Sequence, residues 1–195
     1  MARNRQPILK RCRALGIEPI ALGINKKSNR GMRPNANKKP TEYAIQLKEK
    51  QKVKFIYGVM EKQFRKLYKE ATRRDGVAGE NLLGYLERRL DNVVYRLGFT
   101  KTRNQARQVV SHSHILVNGK KVNIPSYRVK AGDVVTLAEA SKQVEFIKEA
   151  LEVAKTPSWL ELNAEKMEGS VLQLPKRENV DVEINEQLIV EFYSR

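Results

Sequence analysis

The chain has 195 residues, 41% of them hydrophobic, enough for one large or two small domains with real cores, and this excludes a wholly disordered protein. Its 38 Lys and Arg against 22 Asp and Glu give a net charge of +16, so a polyanion is the expected partner. A lone Cys12 excludes a disulfide within the chain, and no stretch approaches the roughly 20 apolar residues of a membrane helix.

Residues 1–5 are charged like the start of a signal peptide, but no apolar run follows, so a soluble cytoplasmic protein is expected. The charge is uneven. Residues 1–75 hold 21 basic and 6 acidic side chains, residues 76–140 hold 10 and 5, and residues 141–195 hold 7 and 11. The polyanion should therefore meet the first two thirds, leaving the acidic end to solvent or another protein.

Residues 1–42 read as a basic arm. Pro7, Gly16, Pro19, Gly23, Gly31, Pro34 and Pro40 interrupt every incipient helix, and the apolar surface is too small to offset ordering. Arg3, Arg5, Lys10, Arg11, Arg13, Lys26, Lys27, Arg30 and Arg33 are its candidate polyanion contacts, with Lys38 and Lys39 close behind. The arm is expected to order only on a polyanion that cancels its self-repulsion. After Thr41, an expected N-cap, Val53, Ile56, Met60, Phe64, Leu67 and Ala71 recur at helical spacing up to Asp75-Gly76. This predicts one amphipathic element over 43–75, with Lys54, Lys62, Arg65, Lys66, Lys69 and Arg73 mostly off its apolar stripe.

A second stripe joins Leu83, Leu86, Leu90, Val93 and Leu97, closed by Gly98 and Phe99 in a Schellman-type end. Thr102 and Gln105 fit a capping box that opens a third helix, with Ala106, Val109 and Val110 on its buried side. The period then falls to two at Ile115 and Val117, Asn118-Gly119 marks a tight hairpin turn, and Val122 and Ile124 return. Gly132-Asp133 turns into a strand over 134–137, and a helix is expected over 141–154. The short apolar runs around Trp159, Val171 and Leu188 do not separate strand from helix.

Within 87–137, Arg88, Arg89, Arg96, Lys101, Arg103, Arg107, Lys120 and Lys121 are placed to lie on one side of a two-helix and hairpin module. Forked guanidinium groups suit phosphate oxygens, and helix N-termini offer backbone N–H groups beside them. Patterning alone does not choose RNA over DNA.

Glu87-Arg88-Arg89-Leu90-Asp91-Asn92-Val93-Val94-Tyr95-Arg96-Leu97-Gly98-Phe99 closely resembles the signature of the S-four family of small-subunit ribosomal proteins. So do Gln105-Ala106-Arg107-Gln108-Val109-Val110, His114-Ile115-Leu116-Val117-Asn118-Gly119 and Ile124-Pro125-Ser126-Tyr127. The resemblance extends to Leu47-Lys48-Glu49-Lys50-Gln51-Lys52, Tyr57-Gly58, Pro157-Ser158-Trp159-Leu160 and Asn185-Glu186-Gln187-Leu188-Ile189-Val190-Glu191, covering nearly the whole chain in order. It implies a protein that binds the 5′ part of small-subunit ribosomal RNA and nucleates assembly. It further implies contact with small-subunit protein five and other ribosomal neighbours, a place near messenger RNA, and a role in decoding accuracy. Repression of its own messenger is a further role found in some bacterial members.

The resulting expectation is an α+β protein: the arm over 1–42, a mostly helical domain over 43–86, an inserted S-four-type module of two helices and short antiparallel strands over 87–140, and 141–195 rejoining the helical domain. Lys48, Lys50, Lys52, Thr102, His112, His114 and Asn118 complete the expected RNA-binding set. Two departures stand out. Many relatives read His-Gly-His where this chain has His112-Ser113-His114, and the cysteine cluster with which some relatives bind metal is reduced to Cys12. No metal, cofactor, membrane or small-molecule substrate is expected.

Arg89-Leu90-Asp91 also resembles a pseudouridine synthase motif with a catalytic Asp. Only 55 residues follow position 140, too few for the large catalytic domain of those enzymes, so a structural or RNA-orienting Asp91 is favoured. A stand-alone stress-type RNA binder is the third class, and the flanking matches at 47–58 and 185–191 weigh against it. Trp159, Phe55, Tyr57, Phe64 and Tyr68 read as core residues rather than base-stacking ones.

Overall fold

The computed structural model describes residues 7–26, 28–30, 39–181 and 183–194. Arg3, Arg5, Lys27, Arg33 and Lys38 lie outside them. The chain divides into two compact units, Met1–Leu82 with Val182–Arg195, and Leu83–Asp181.

In the first unit the expectation of an arm without helix is corrected. Helix α1 runs Ile8–Leu15 and buries Cys12 and Leu15, and Ile17 just beyond it is buried too. Pro7 precedes the first turn, where no backbone N–H is needed, and Gly16 closes the helix at φ 71°. These breakers bound a short helix rather than preventing one.

Thr41 caps α2 (Glu42–Ile56), its hydroxyl accepting the Ala44 N–H at 3.3 Å. The single element expected up to residue 75 is two helices. Gly58 takes φ 62°, and the Gly58 and Val59 N–H groups turn back to the Phe55 and Lys54 carbonyls, ending α2 in a Schellman motif. Helix α3 follows at Glu61–Ala71 and buries Phe64, Leu67, Tyr68 and Ala71. Helix α8 (Glu186–Ser194) returns to this unit with Ile189 fully buried and Tyr193 stacked on Tyr68 at 4.6 Å. Phe64, Tyr57 and Tyr68 are buried, as the core reading expects.

The chain passes into the second unit along α4 (Ala78–Glu87). What reads as one stripe over 83–97 is again broken: Arg88 and Arg89 interrupt it before α5 (Leu90–Arg96). Gly98 at φ 80° and Phe99 close α5, with the Gly98 N–H donating to the Tyr95 carbonyl and the Phe99 N–H to that of Val94. Helix α6 (Arg103–Ser111) starts in the expected capping box of Thr102 and Gln105.

Five antiparallel strands follow, β1 (Ile115–Val117), β2 (Lys120–Lys121), β3 (Val134–Leu137), β4 (Leu160–Asn163) and β5 (Glu168–Val171), in the order β2-β1-β3-β5-β4. Asn118 at φ 50° and Gly119 at φ 75° both adopt the left-handed backbone of the two-residue turn joining β1 to β2. The helix expected over 141–154 is shorter: a 3-10 turn over Glu139–Ser141, then α7 (Glu145–Glu152).

The sheet continues past the end of the expected module at 140. Strand β5 pairs with β3, and Ile147, Trp159, Leu160 and Val171 share one core with Leu90, Val93, Leu97, Val110, Ile115 and Val135. Residues 141–181 therefore complete the core of the second unit, and within the described residues only 183–194 rejoin the helical one. The fold is α+β, as expected.

Candidate nucleic-acid interface

Two buried carboxylates organise the cations of α5, of α6 and of the link that precedes α5. Asp91 accepts Arg89 Nε at 3.0 Å and Nη2 at 2.7 Å, with Arg107 Nη1 at 3.5 Å from the same group. Glu87, fully buried, accepts Arg96 through Nε at 3.2 Å and Nη2 at 3.0 Å, and Asn92 Nδ2 at 2.7 Å. Arg96 Nη1 also meets Asp181. Removing such charges from water costs several kcal/mol per ion unless each is paired and hydrogen-bonded, and here both carboxylates are.

This arrangement sorts the predicted contacts. Arg89 and Arg96, expected as RNA contacts, are buried and hold these ion pairs. Arg103 and Arg107 are half-buried, anchored at one end and open to solvent in part. Arg103 Nε donates to Asn92 Oδ1 at 2.8 Å while its guanidinium lies 4.3 Å over the Tyr95 ring. Because Asn92 Nδ2 faces Glu87, its Oδ1 is the atom left for Arg103: one chain of hydrogen bonds runs Glu87–Asn92–Arg103.

Some of the backbone donors expected at the helix N-termini are already engaged. The Leu90 N–H donates to the Tyr127 carbonyl at 2.8 Å and the Asp91 N–H to that of Pro125 at 3.2 Å. At α6 the capping box takes the Thr102 hydroxyl and the N–H groups of Thr102 and Gln105. Thr102 is thus a helix cap. Asn118 likewise works inside the fold, donating to Asp133 at 2.9 Å and accepting the Val134 N–H at 2.9 Å.

Lys120 and Lys121 are exposed on β2, an edge strand where ammonium groups also discourage pairing with another sheet. Lys101 is exposed and pairs with Glu149 at 2.6 Å, a surface contact that contributes little. Arg88, half-buried, donates from Nε to the Val129 carbonyl at 2.9 Å. His112 is exposed, whereas His114 Nδ1 shares a hydrogen bond of 2.8 Å with Ser141 Oγ.

In the first unit Lys10, Lys26, Arg30 and Lys48 are exposed, and Arg11 and Arg13 half-buried, with Arg13 Nη1 donating to the Arg30 carbonyl at 3.2 Å. Lys50, expected as an RNA contact, is buried, 3.1 Å from Glu61 and 4.2 Å over the Phe192 ring. Lys52 binds Glu49 and the Glu183 carbonyl.

Cations outside the predicted set are also exposed. Lys62, Arg65, Lys66 and Lys69 line the outer face of α3, with Arg73 and Arg74 beyond its end. Their spacing opposite Phe64, Leu67 and Ala71 sets all but Arg74 off the apolar stripe in sequence, and the same signal would have placed them among the candidate contacts. Lys130 is exposed in the turn before β3, and Arg128 lies 4.4 Å over Tyr85. Among the described residues no three His, Cys, Asp or Glu side chains gather as a metal site, and no helix is long and apolar enough to cross a membrane.

Comparison with known proteins finds two family matches, the ribosomal protein S4/S9 N-terminal domain over residues 3–87 and the S4 domain over residues 88–135. A small ribosomal subunit protein uS4 of Fusobacterium nucleatum is 67% identical over 195 residues, covering all of both chains. Proteins of the same name from Lachnospira eligens and Chloroflexus aurantiacus are 57% and 48% identical, again over the full length of each.

Proposed function

The chain belongs to the S4 family of small-subunit ribosomal proteins, and from that premise we propose that it binds small-subunit ribosomal RNA directly as a non-catalytic component of the ribosome. The observation that carries this reading is the α5–α6 pair. Inside the segment that matches the S4 domain, Arg103 and Arg107 are held in place by Asn92 and Asp91, and Lys120 and Lys121 stand exposed beyond them. Anchored guanidinium groups lose little freedom when they meet phosphate oxygens, so their contacts are preorganised.

On this reading the protein works in the cytoplasm, on the 5′ part of the RNA, and nucleates folding there. It meets small-subunit protein five and other ribosomal neighbours near messenger RNA, contributes to decoding accuracy, and can repress its own messenger. It needs no cofactor, metal or small-molecule substrate.

Filter binding tests the reading. With about six to ten phosphates neutralised, affinity should fall on the order of 10³-fold between 50 and 200 mM salt. At moderate salt, small-subunit ribosomal RNA should outcompete an unrelated RNA of equal length; equal affinity would leave only a general polyanion binder. The enzymatic alternative rests on Asp91, whose carboxylate is enclosed by Arg89 and Arg107. Asp91→Asn should leave the nucleoside composition of the RNA unchanged. Pseudouridine formed by the parent protein and not by this variant would overturn the structural role.

A further inference from the structure

A cavity of about 250 Å³ opens in the unit Leu83–Asp181 between α6 and the segment leading into α7. Val109, Phe146 and Ile147 give it apolar walls, and Gln105, Gln108 and His112 give it a polar edge. No Asp, Glu, Lys or Arg side chain lines it. Phe146 sits at the mouth, 40% exposed, although α7 has a buried face of Ile147 and Ala150 for its apolar residues. Gln105 uses its Oε1 in the capping box, which leaves Nε2 as a donor toward the cavity, and the Gln108 amide is exposed.

We propose that this cavity receives one unpaired nucleobase of the bound RNA. The inference rests on the RNA-binding reading above and adds a site of base recognition to it. A nucleobase is flat, neutral and apolar on its faces, with donors and acceptors confined to its edge. The cavity matches that distribution: apolar walls, an aromatic ring at the mouth for stacking, and amide and imidazole groups on one side. A phosphate or carboxylate ligand would want a cation in the lining, and a peptide would want room along a groove. Position supports the same occupant. The cavity lies across the exposed face of α6 from Arg103 and Arg107, so an RNA strand that crosses this helix from those residues can turn a base toward it. Splayed-out bases stacked on aromatic rings are the part of RNA from which proteins read sequence.

The experiment uses the full chain, a transcript of small-subunit ribosomal RNA, and the variants Phe146→Ala and Gln108→Ala. Both positions are exposed, and far-ultraviolet circular dichroism should show both variants folded. Base-specific chemical probing should find a nucleotide whose Watson–Crick edge the parent protects and both variants leave reactive. Affinity should fall about ten-fold for Phe146→Ala, the usual range for losing one stacked base, with an unchanged salt slope because no phosphate contact is lost. Variants with the parent's reactivity map and affinity would overturn the proposal. So would variants that bind RNA normally yet fail to retain a neighbouring ribosomal protein in reconstituted subunits, since the occupant would then be that protein. A parent that does not prefer small-subunit RNA would instead sink the RNA-binding reading itself.

Discussion

At the scale of single residues, the chain Glu87–Asn92–Arg103 makes a buried side chain responsible for the position of a half-buried cation. Asn92 is buried, so its amide has no solvent to turn to and its orientation is set by the fully buried carboxylate of Glu87. Replacing it by Ala frees Arg103 from its anchor at 2.8 Å while leaving the guanidinium charge in place. We expect Asn92→Ala to weaken RNA binding about ten-fold and to lower the salt slope by about one, the signature of one displaced phosphate contact. Combined with Arg103→Ala the losses should be less than additive. Fully additive losses in filter binding would mean that Asn92 acts on stability alone.

Elements are joined by small sets of side chains, and Glu61 is the clearest case. Burial by itself would raise its carboxyl pKa, but hydrogen bonds from Lys54, Tyr193 and Lys50 outweigh this and bring it down to about 2. These partners come from α2 and α8, so the carboxylate ties three helices together. A depressed carboxyl pKa contributes stability that is complete above the unfolded value of 4.5 and is lost as pH falls toward 2. Urea melts across that window should show the parent losing stability on acidification more steeply than Glu61→Gln. Parallel curves would show that the ion pairs contribute nothing net.

The end of α5 gives a second test at this scale. Gly98 holds a φ of 80°, and a Cβ there would also press on the Ala154 side chain. Gly119 holds a φ of 75° with nothing within 4 Å of its missing Cβ. Both positions carry the left-handed strain of about 1 kcal/mol for an L residue, but only Gly98 adds a collision. Gly98→Ala should therefore cost about 2 kcal/mol or more and Gly119→Ala about 1 kcal/mol in denaturant melts. Equal losses would mean that the contact with Ala154 is relieved without strain.

For the whole molecule, the unit Leu83–Asp181 contains the entire core that its helices and sheet share, from Leu90 to Val171. A fragment of residues 83–181 should fold cooperatively by circular dichroism and bind RNA, with a shallower salt dependence than the full chain because the cations of the first unit are gone. A fragment of residues 87–140 should not fold. It lacks Ile147, Trp159, Leu160 and Val171, and it leaves β3 without the partner strand that covers one edge. Cooperative melting of the shorter fragment would show that the β4–β5 hairpin is dispensable.

The amino-acid sequence by itself determined whatever depends on neighbours a few positions apart. Thr41, the Thr102 and Gln105 box, the Gly98-Phe99 ending and the Asn118-Gly119 turn are all where their spacing puts them, because caps and tight turns are closed by local hydrogen bonds. The α+β class, the start of α6 and the first hairpin were legible for the same reason, whereas the break between α4 and α5 was not. Only the tertiary structure decided which cations face inward. Arg89, Arg96 and Lys50 look in sequence like Arg103 and Lys120, and nearby carboxylates alone (Asp91, Glu87 and Glu61) do not foretell their burial; for Arg96 and Lys50 it is completed by Asp181 and Phe192, which folding brings from far along the chain. The same is true of residues 141–181, whose apolar runs are too short to declare strand or helix until β3 offers an edge to pair with. A hydrophobic pattern records that a residue will be buried; the partner against which it is buried is a property of the folded chain, because the contacts that select it span long stretches of sequence.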